Sequence, residues 1–270
     1  MYIIFDIGGT YTRFASSLDG ATIIDTKIEP TPQNLDEAVL LYKKLVTDLS
    51  HGQKIDALAG GVPGPLNPEK TMLVNAPHLR NWINKPLDQR FRRIADCPVF
   101  FENDSALAAL GEGTKGAGTG YRVVAYIGVG TGVGGARVVN QQIDVSSIGF
   151  EPGDMIIDEG NTLESFISGN TIKEKYGKKA SEMENETFWR DFEAKLTLGL
   201  NNVTVMWSPD IIVLGGGVGQ CPQVSVDRIM LSMYRRLTIY PKLPRVLKAT
   251  LGDHAALLGS LTYLSQKLGK

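Results

Sequence analysis

Two stretches decide the reading: Asp6-Ile7-Gly8-Gly9-Thr10 and Gly128-Val129-Gly130-Thr131-Gly132-Val133-Gly134-Gly135. Each follows an apolar run, residues 2–5 in the first case and 122–127 in the second. Each leads into another run that reads as a return strand, 11–16 and 136–139. Strand, glycine-threonine turn and return strand therefore occur twice, with the two threonines (131 − 10 = 121) 121 residues apart in a chain of 270. A repeat at close to half the chain length predicts an α/β protein of two similar lobes. Each lobe opens with a glycine-rich hairpin, and the expected result is a central cleft with a phosphate-binding turn on either wall.

The remaining elements fall around these hairpins. Residues 22–28 read as a third strand and 35–49 as a helix, with apolar Leu35, Val39, Tyr42, Leu45 and Val46 on one face. Residues 55–59 read as a strand that runs into Gly60-Gly61-Val62-Pro63-Gly64-Pro65, where the density of Gly and Pro predicts irregular backbone. A strand at 99–102 precedes a helix at 105–111, with Asp104 at or near its N-cap. In the second half, a long helix at 186–206 is stopped by Pro209, and a buried strand at 211–214 enters Gly215-Gly216-Gly217. A last helix spans 254–268.

Glycines let backbone N–H groups converge on an anion because no Cβ blocks the approach. At Gly8, Gly9 and Thr10 the alternatives are a phosphate-binding turn, with Asp6 holding the water shell of a Mg²⁺, and a plain tight hairpin. Gly130 to Gly135 matches the dinucleotide pattern G-x-G-x-x-G, but that fingerprint needs a helix to start at its glycines, and here a strand follows. No G-K-[ST] of a Walker A loop occurs. The Gly215 loop reads equally as a seat for adenosine and as a flexible connection. Asp104 reads as a general base or as a helix cap, and Asp154 as a site carboxylate or a solvent-facing residue. Phosphoryl transfer to an alcohol needs a carboxylate to accept the hydroxyl proton, and Asn103-Asp104 places an amide beside such a group. The residue patterns favour a loop role for His78 and packing roles for Trp82 and Trp189.

Composition narrows the class. The chain is 43% hydrophobic and 21% charged with a net charge of -1, which gives no electrostatic case for binding nucleic acid. No apolar run approaches the ~20 residues of a membrane span. The start of the chain lacks the pattern of a signal peptide. Cys97 and Cys221 stand far apart, in no metal-ligand spacing, and read as two buried thiols of a cytoplasmic protein.

Taken in order, Asp6-Ile7-Gly8-Gly9-Thr10, Gly61-Val62-Pro63-Gly64, Glu102-Asn103-Asp104-Ser105-Ala106, Gly130-Thr131-Gly132-Val133-Gly134-Gly135 and Leu214-Gly215-Gly216-Gly217 resemble the ROK family of sugar kinases and sugar-responsive repressors. The resemblance covers essentially the whole chain. It implies a two-lobed actin/hexokinase/Hsp70-like (ribonuclease H-like) fold, with a first lobe of residues 1–106 plus 254–270 and a second of 107–253. It implies an ATP- and Mg²⁺-dependent kinase acting on a hydroxyl of a hexose or hexosamine, with lobes that close on the sugar; a homodimer is an assembly it allows. Gly8, Gly9, Thr10, Gly130, Thr131 and Gly132 would hold the nucleotide phosphates, with Asp6 at the Mg²⁺, and Gly215, Gly216 and Gly217 would support the adenosine. Asp104 would be the base, with Gly61, Asn103, Glu151, Asp154 and Glu164 at the sugar. Many relatives have a His where Asp154 stands, followed by a cysteine-rich zinc loop. Here residues 155–162 lead directly to Leu163 without a cysteine, so zinc is expected to be absent. Apolar packing of Met155, Ile156 and Ile157 against Leu163, Phe166 and Ile167 is expected in its place. Two alternatives stay open: a sugar-binding regulatory protein without catalysis, and a polyphosphate-dependent sugar kinase. Family repressors carry a winged helix before the first lobe, and none precedes Met1 in this sequence.

Overall fold

The computed structural model describes residues 1–269. Along the chain come β1 (Tyr2–Ile7), β2 (Tyr11–Ser17), β3 (Asp25–Pro30), α1 (Leu35–Ser50), β4 (Ala57–Val62), α2 (Leu87–Arg92), β5 (Val99–Asn103) and α3 (Asp104–Lys115). Next are β6 (Val123–Val129), β7 (Val133–Val139), β8 (Gln142–Ile143), β9 (Ile156–Asp158), β10 (Asn161–Thr162), α4 (Glu164–Ile167), α5 (Gly169–Tyr176) and α6 (Glu186–Trp207). The chain ends with β11 (Ile211–Gly215), α7 (Val226–Arg236), β12 (Arg245–Lys248) and α8 (Ala255–Leu268). Two compact units result. Unit 1 comprises residues 1–111, 145–149 and the chain from Asp253 onward; unit 2 comprises 112–144 and 150–252.

The sheet of unit 1 has the order β3-β2-β1-β4-β5, and that of unit 2 the order β8-β7-β6-β11-β12. In both, the first three strands pair antiparallel and the last two join in parallel. The repetition seen in the two hairpins thus extends to the whole sheet.

The sequence Tyr2-Ile3-Ile4-Phe5-Asp6-Ile7 explains why β1 lies at the centre of its sheet. Side chains alternate between faces along a strand, and β1 is apolar on both. Ile3, Phe5 and Ile7 share a core with Phe14, Tyr42, Phe91 and Phe101. Tyr2 packs with Leu264, and Ile4 with Leu257 and Leu261, all three from α8. Each such side chain, fully buried, contributes roughly 1.5–3 kcal/mol. Asp6 continues the row of Tyr2 and Ile4, so alternation alone delivers its carboxylate to the α8 face, at the end of the sheet where that helix begins.

Helix α1 starts where Asn34 accepts hydrogen bonds from the N–H groups of Asp36 and Glu37. In unit 2, α6 is capped by Asn185 and ends at Ser208, in left-handed conformation with φ 48°, just before Pro209. Trp189, Leu196, Leu200 and Val203 of α6 pack against Ile127, Ile212 and Leu214. Trp189 and Trp82 are both core residues, and the Trp189 indole donates to the carbonyl of Met183 at 2.7 Å. Leu163 and Ile167 are fully buried in the same core, with Met155, Ile157 and Phe166 packed against it. Ile156, expected to join them, is exposed, because alternation along β9 turns it outward.

The structure corrects several other expectations. The third strand begins at Asp25 rather than 22, because Asp19 accepts from the N–H groups of Ala21 and Thr22, each at 2.8 Å, and ties residues 19–22 into a turn. Gly60, Gly61 and Val62, expected to be irregular, are regular residues of β4. The glycines serve clearance: a Cβ on Gly60 would run into the Phe5 carbonyl and ring. Gly128, Gly134 and Gly135 likewise lie in strands, which leaves only residues 130–132 as the second turn. Cys97 is half-buried; Cys221 is buried. Among the described residues no helix is long and apolar enough to cross a membrane.

Candidate active site

Register places a row of chemistry-bearing residues across unit 1. Arg13 pairs with Asp6, Asp6 with Gly61, and Gly61 with Glu102, on four adjacent strands. Directly paired residues project from the same face. The row ends at the β5–α3 junction, where Asn103 closes the strand and Asp104 opens the helix. A Cβ on Gly61 would lie 2.9 Å from the Cα of Asp104, so the bare glycine is what lets Asp104 settle over the sheet beside Asp6.

Asn103, not Asp104, is the cap of α3. The Asn103 side-chain oxygen accepts from the N–H of Ala106 at 3.0 Å, and its amide nitrogen donates to the carbonyl of Gly64 at 3.2 Å. One amide proton and one lone pair remain for a ligand. Asp104 accepts from the N–H of Ser105 at 2.7 Å and lies in the first turn of α3, where the helix dipole favours the ionised carboxylate. Glu102, the end of the paired row, is buried; it accepts from the N–H of Asn103 at 3.0 Å and forms an ion pair with Lys70. These contacts hold the Asn103-Asp104 backbone from the strand side.

Asp6 is nearly enclosed. Loss of hydration pushes its pKa up to about 6; the positive charge of Arg13 opposes the rise, and Asp253 adds to it. The Arg13 guanidinium lies 3.7 Å from the Asp6 carboxylate and 3.1 Å from that of Asp253.

The first turn is built to leave donors over. Its carbonyls are tied back: that of Gly8 accepts from the Thr31 hydroxyl at 2.7 Å, that of Gly9 from Gln33 at 3.3 Å and that of Thr10 from the Thr31 N–H at 2.9 Å. The N–H groups of Gly9 and Thr10 find no protein acceptor among the described residues. Spare donors on a braced turn suit a phosphate. His78 is exposed and packs against Gly9, its Cβ only 2.6 Å from where a Gly9 Cβ would stand.

Unit 2 reaches the same result with different parts. The carbonyls of Gly130 and Thr131 accept from the first N–H groups of α5, Gly169 at 2.7 Å and Asn170 at 3.1 Å. The carbonyl of Gly132 accepts from the Gly130 N–H at 2.9 Å. The N–H groups of Thr131 and Gly132 are left without a protein acceptor among the described residues. Glu164, expected at the sugar, accepts from the N–H of Val133 at 2.6 Å, so one of its oxygens closes this turn. Beside it, Gly215 pairs with Gly128, and the ring of Tyr126 lies over both glycines. Gly216 has φ +75°, and a Cβ there would run into the backbone of Val129. Gly217 has open space around it. The connection from Gly216 to α7 is ordered by the N–H groups of Val218 and Gly219, which both donate to the Val129 carbonyl, at 2.9 and 3.1 Å.

Glu151, Asp154 and Glu164 lie close enough to repel. Glu151 meets solvent on one side. Loss of hydration around its carboxyl, reinforced by Asp154 and Glu164, pushes its pKa up to about 7. Asp154 is exposed. Among the described residues no group of three or more His, Cys, Asp or Glu side chains is arranged to hold a metal ion.

Arg13, Asp253, Lys70 and Tyr126 were not singled out by motif reading. Only Arg13 carried a signal, a lone cation in a return strand that is otherwise neutral.

Two sheets of one topology, each with spare N–H donors at its first hairpin, define an actin/hexokinase-like protein. The chain belongs to the ROK family, which its residues 2–267 match. It is similar to a glucokinase from Streptomyces coelicolor, 24% identical over a 302-position alignment, gaps included, that covers 94% of each chain. Among solved structures, a ROK hexokinase from Thermus thermophilus matches with a TM-score of 0.82 at 25% identity, over 99% of both chains. A ROK family glucokinase from Streptomyces griseus, in complex with glucose and AMPPNP, shares the fold with a TM-score of 0.83 at 24% identity, over 98% of this chain and 99% of that one.

Proposed function

We propose that this protein is an ATP-dependent kinase that phosphorylates a hydroxyl of a hexose or hexosamine. The observation that carries the reading is the row in unit 1, where Asp104 sits over Gly61, one strand from Asp6 and beside a turn with unspent N–H donors. Glucokinases and a hexokinase among its relatives agree with it.

Bound ATP with Mg²⁺ supplies the phosphoryl group and the metal charge that offsets the phosphates. The chain's own residues do the rest. Asp104 accepts the proton of the attacking hydroxyl, and Asn103 orients that hydroxyl with its remaining amide proton. In unit 1, Gly9 and Thr10 hold phosphate oxygens through backbone N–H groups, with Gly8 shaping the turn; in unit 2, Thr131 and Gly132 offer donors of the same kind on the turn that Gly130 shapes. Asp6 would hold a Mg²⁺ through water: it offers the carboxylate oxygens such an ion takes, and Arg13 at 3.7 Å is too far to hydrogen-bond them. Glu151 and Asp154 offer acceptors to sugar hydroxyls, and Glu164 does so with its second oxygen. Gly215, Gly216 and Gly217 support the adenosine. Structural zinc has no part in this reading, since residues 150–169 rest on the apolar packing of Leu163 and Ile167. Two free cysteines agree with a cytoplasmic setting.

The test is a panel of monosaccharides and amino sugars incubated with ATP and Mg²⁺, with sugar phosphate detected by mass. Formation of a hexose or hexosamine phosphate is expected. Absence of product from every sugar, with intact folding, would refute the kinase reading.

A further inference from the structure

Resting on the kinase reading, we propose that Arg13 is a further catalytic residue, whose guanidinium donates hydrogen bonds to the phosphoryl group during transfer. Arg13 begins the paired row that runs through Asp6 to Gly61, over which Asp104 lies. Neighbouring residues in such a row stand about 5 Å apart. A phosphorus atom attacked by the hydroxyl that Asp104 deprotonates therefore passes within reach of a side chain as long as arginine's.

The way Arg13 is held also points to an absent partner. A guanidinium carries five donors. At 3.7 Å its approach to Asp6 is too long for a hydrogen bond. Its one hydrogen bond to a side chain goes to Asp253, whose carboxylate is 84% exposed. Its Nε is buried and has no hydrogen-bond partner among the described residues. The same protein shows what a structural arginine looks like. Arg228 grips Glu193 through Nε at 2.6 Å and Nη2 at 2.7 Å. Arg137 also has a partnerless Nε, but it pairs with Asp144 and stands opposite Ala125, three residues back along β6 from Gly128, away from the turn. Among the described residues, the unspent donor and the position in the catalytic row coincide only at Arg13.

The step balances without a further reactant. The sugar oxygen forms a new bond to the γ-phosphorus as the bond to the β,γ-bridging oxygen breaks. The hydroxyl proton goes to Asp104, and the bridging electron pair leaves with ADP. Arg13 neutralises charge on the equatorial oxygens of the moving group, as forked donors of this kind do in phosphoryl transfer.

The experiment compares wild type, Arg13→Ala and Arg13→Lys by steady-state kinetics and by calorimetric binding of AMPPNP and of ADP, each with Mg²⁺. Arg13→Ala should lower kcat by ~10²-fold or more and weaken AMPPNP at least ~10-fold more than ADP, with the melting temperature retained. Arg13→Lys keeps the charge without the fork, and should recover part of both losses. Equal weakening of AMPPNP and ADP, or a kcat within about threefold of wild type, would overturn the proposal. If Arg13→Ala does not fold, Arg13→Lys decides alone: a ~10-fold loss of kcat with reduced preference for AMPPNP supports the role, and wild-type values of both overturn it. A wild-type protein that phosphorylates no sugar instead defeats the kinase reading itself, while the binding comparison still reports on Arg13.

Discussion

The two glycine turns share a backbone plan and differ in chemistry. In unit 1 the last pairs of the hairpin are Ile7 with Thr12 and Asp6 with Arg13. In unit 2 they are Val129 with Val133 and Gly128 with Gly134. Where the first turn has a carboxylate and a guanidinium, the second has two glycines, and the ring of Tyr126 lies against one of them, Gly128. The first turn is braced by Thr31 and Gln33 from the segment between β3 and α1; the second is braced by Glu164 and the start of α5. Both end with carbonyls tied down and N–H groups spare. A duplicated scaffold therefore supplies two turns with spare N–H donors, and only the first has a charged pair, Asp6 and Arg13, at its base.

The largest expected effect tests whether the charged unit does the chemistry. Asp104→Asn keeps the shape and removes the base, so kcat should fall by ~10²-fold or more while calorimetry shows AMPPNP still bound. Near-normal turnover would move the base elsewhere and dissolve the contrast between the turns. Next in size is Gly216→Ala, which forces a Cβ onto the Val129 backbone in a left-handed conformation. A loss of about 2 kcal/mol or more in denaturant unfolding is expected, with turnover per folded molecule reduced as the floor of turn 2 shifts.

Glu164→Gln probes the brace of turn 2. A neutral amide oxygen is a weaker acceptor for the Val133 N–H, so KM for ATP should rise by ~10-fold with kcat nearly kept. A rise confined to KM for the sugar would instead make Glu164 mainly a sugar contact. The smallest effect concerns pH. The folded pKa of Asp6, about 6, lies above its ordinary value of 3.8, so the native state gives up this proton reluctantly. Stability is lost as pH rises from about 4 through 6. Asp6→Asn should therefore melt above wild type at pH 8 and level with it near pH 4. Glu151→Gln should show the same sign through about pH 7, weakened by solvent at its exposed carboxyl. A melting difference that grows toward acid would reverse the assignment. No counterpart of Asp6 exists on β6, since Gly128 takes its place.

Several features were legible because they are local. Alternation in residues 2–7 gives a strand with two apolar faces, and it assigns Asp6 to the face opposite Ile3, Phe5 and Ile7. The helices at 35–50, 186–207 and 255–268 lie within one residue of their expected bounds, the first from its apolar periodicity and the second from the stop at Pro209. The two glycine turns follow from residue type and order. Glycine was misread where its purpose was clearance, as in the Gly60-Gly61 strand, because a local rule treats it as a breaker and cannot see Phe5 or Asp104 arriving from elsewhere. Asn103 displaced Asp104 as the cap for a similar reason: both are good caps, and the choice depends on where β5 ends against β4.

The sequence by itself determined most of the elements, their duplication and which residues stand as candidates for the site. Tertiary structure alone decided which groups meet. Arg13 faces Asp6 through the register of β1 and β2, and Asp253 reaches Arg13 from 240 residues away. Glu164 closes a turn 31 residues before it. Propensity and periodicity are set by neighbours along the chain, whereas burial, ion pairing and the direction of a spare N–H are set by neighbours in space, and the fold creates those only when its sheets and helices pack.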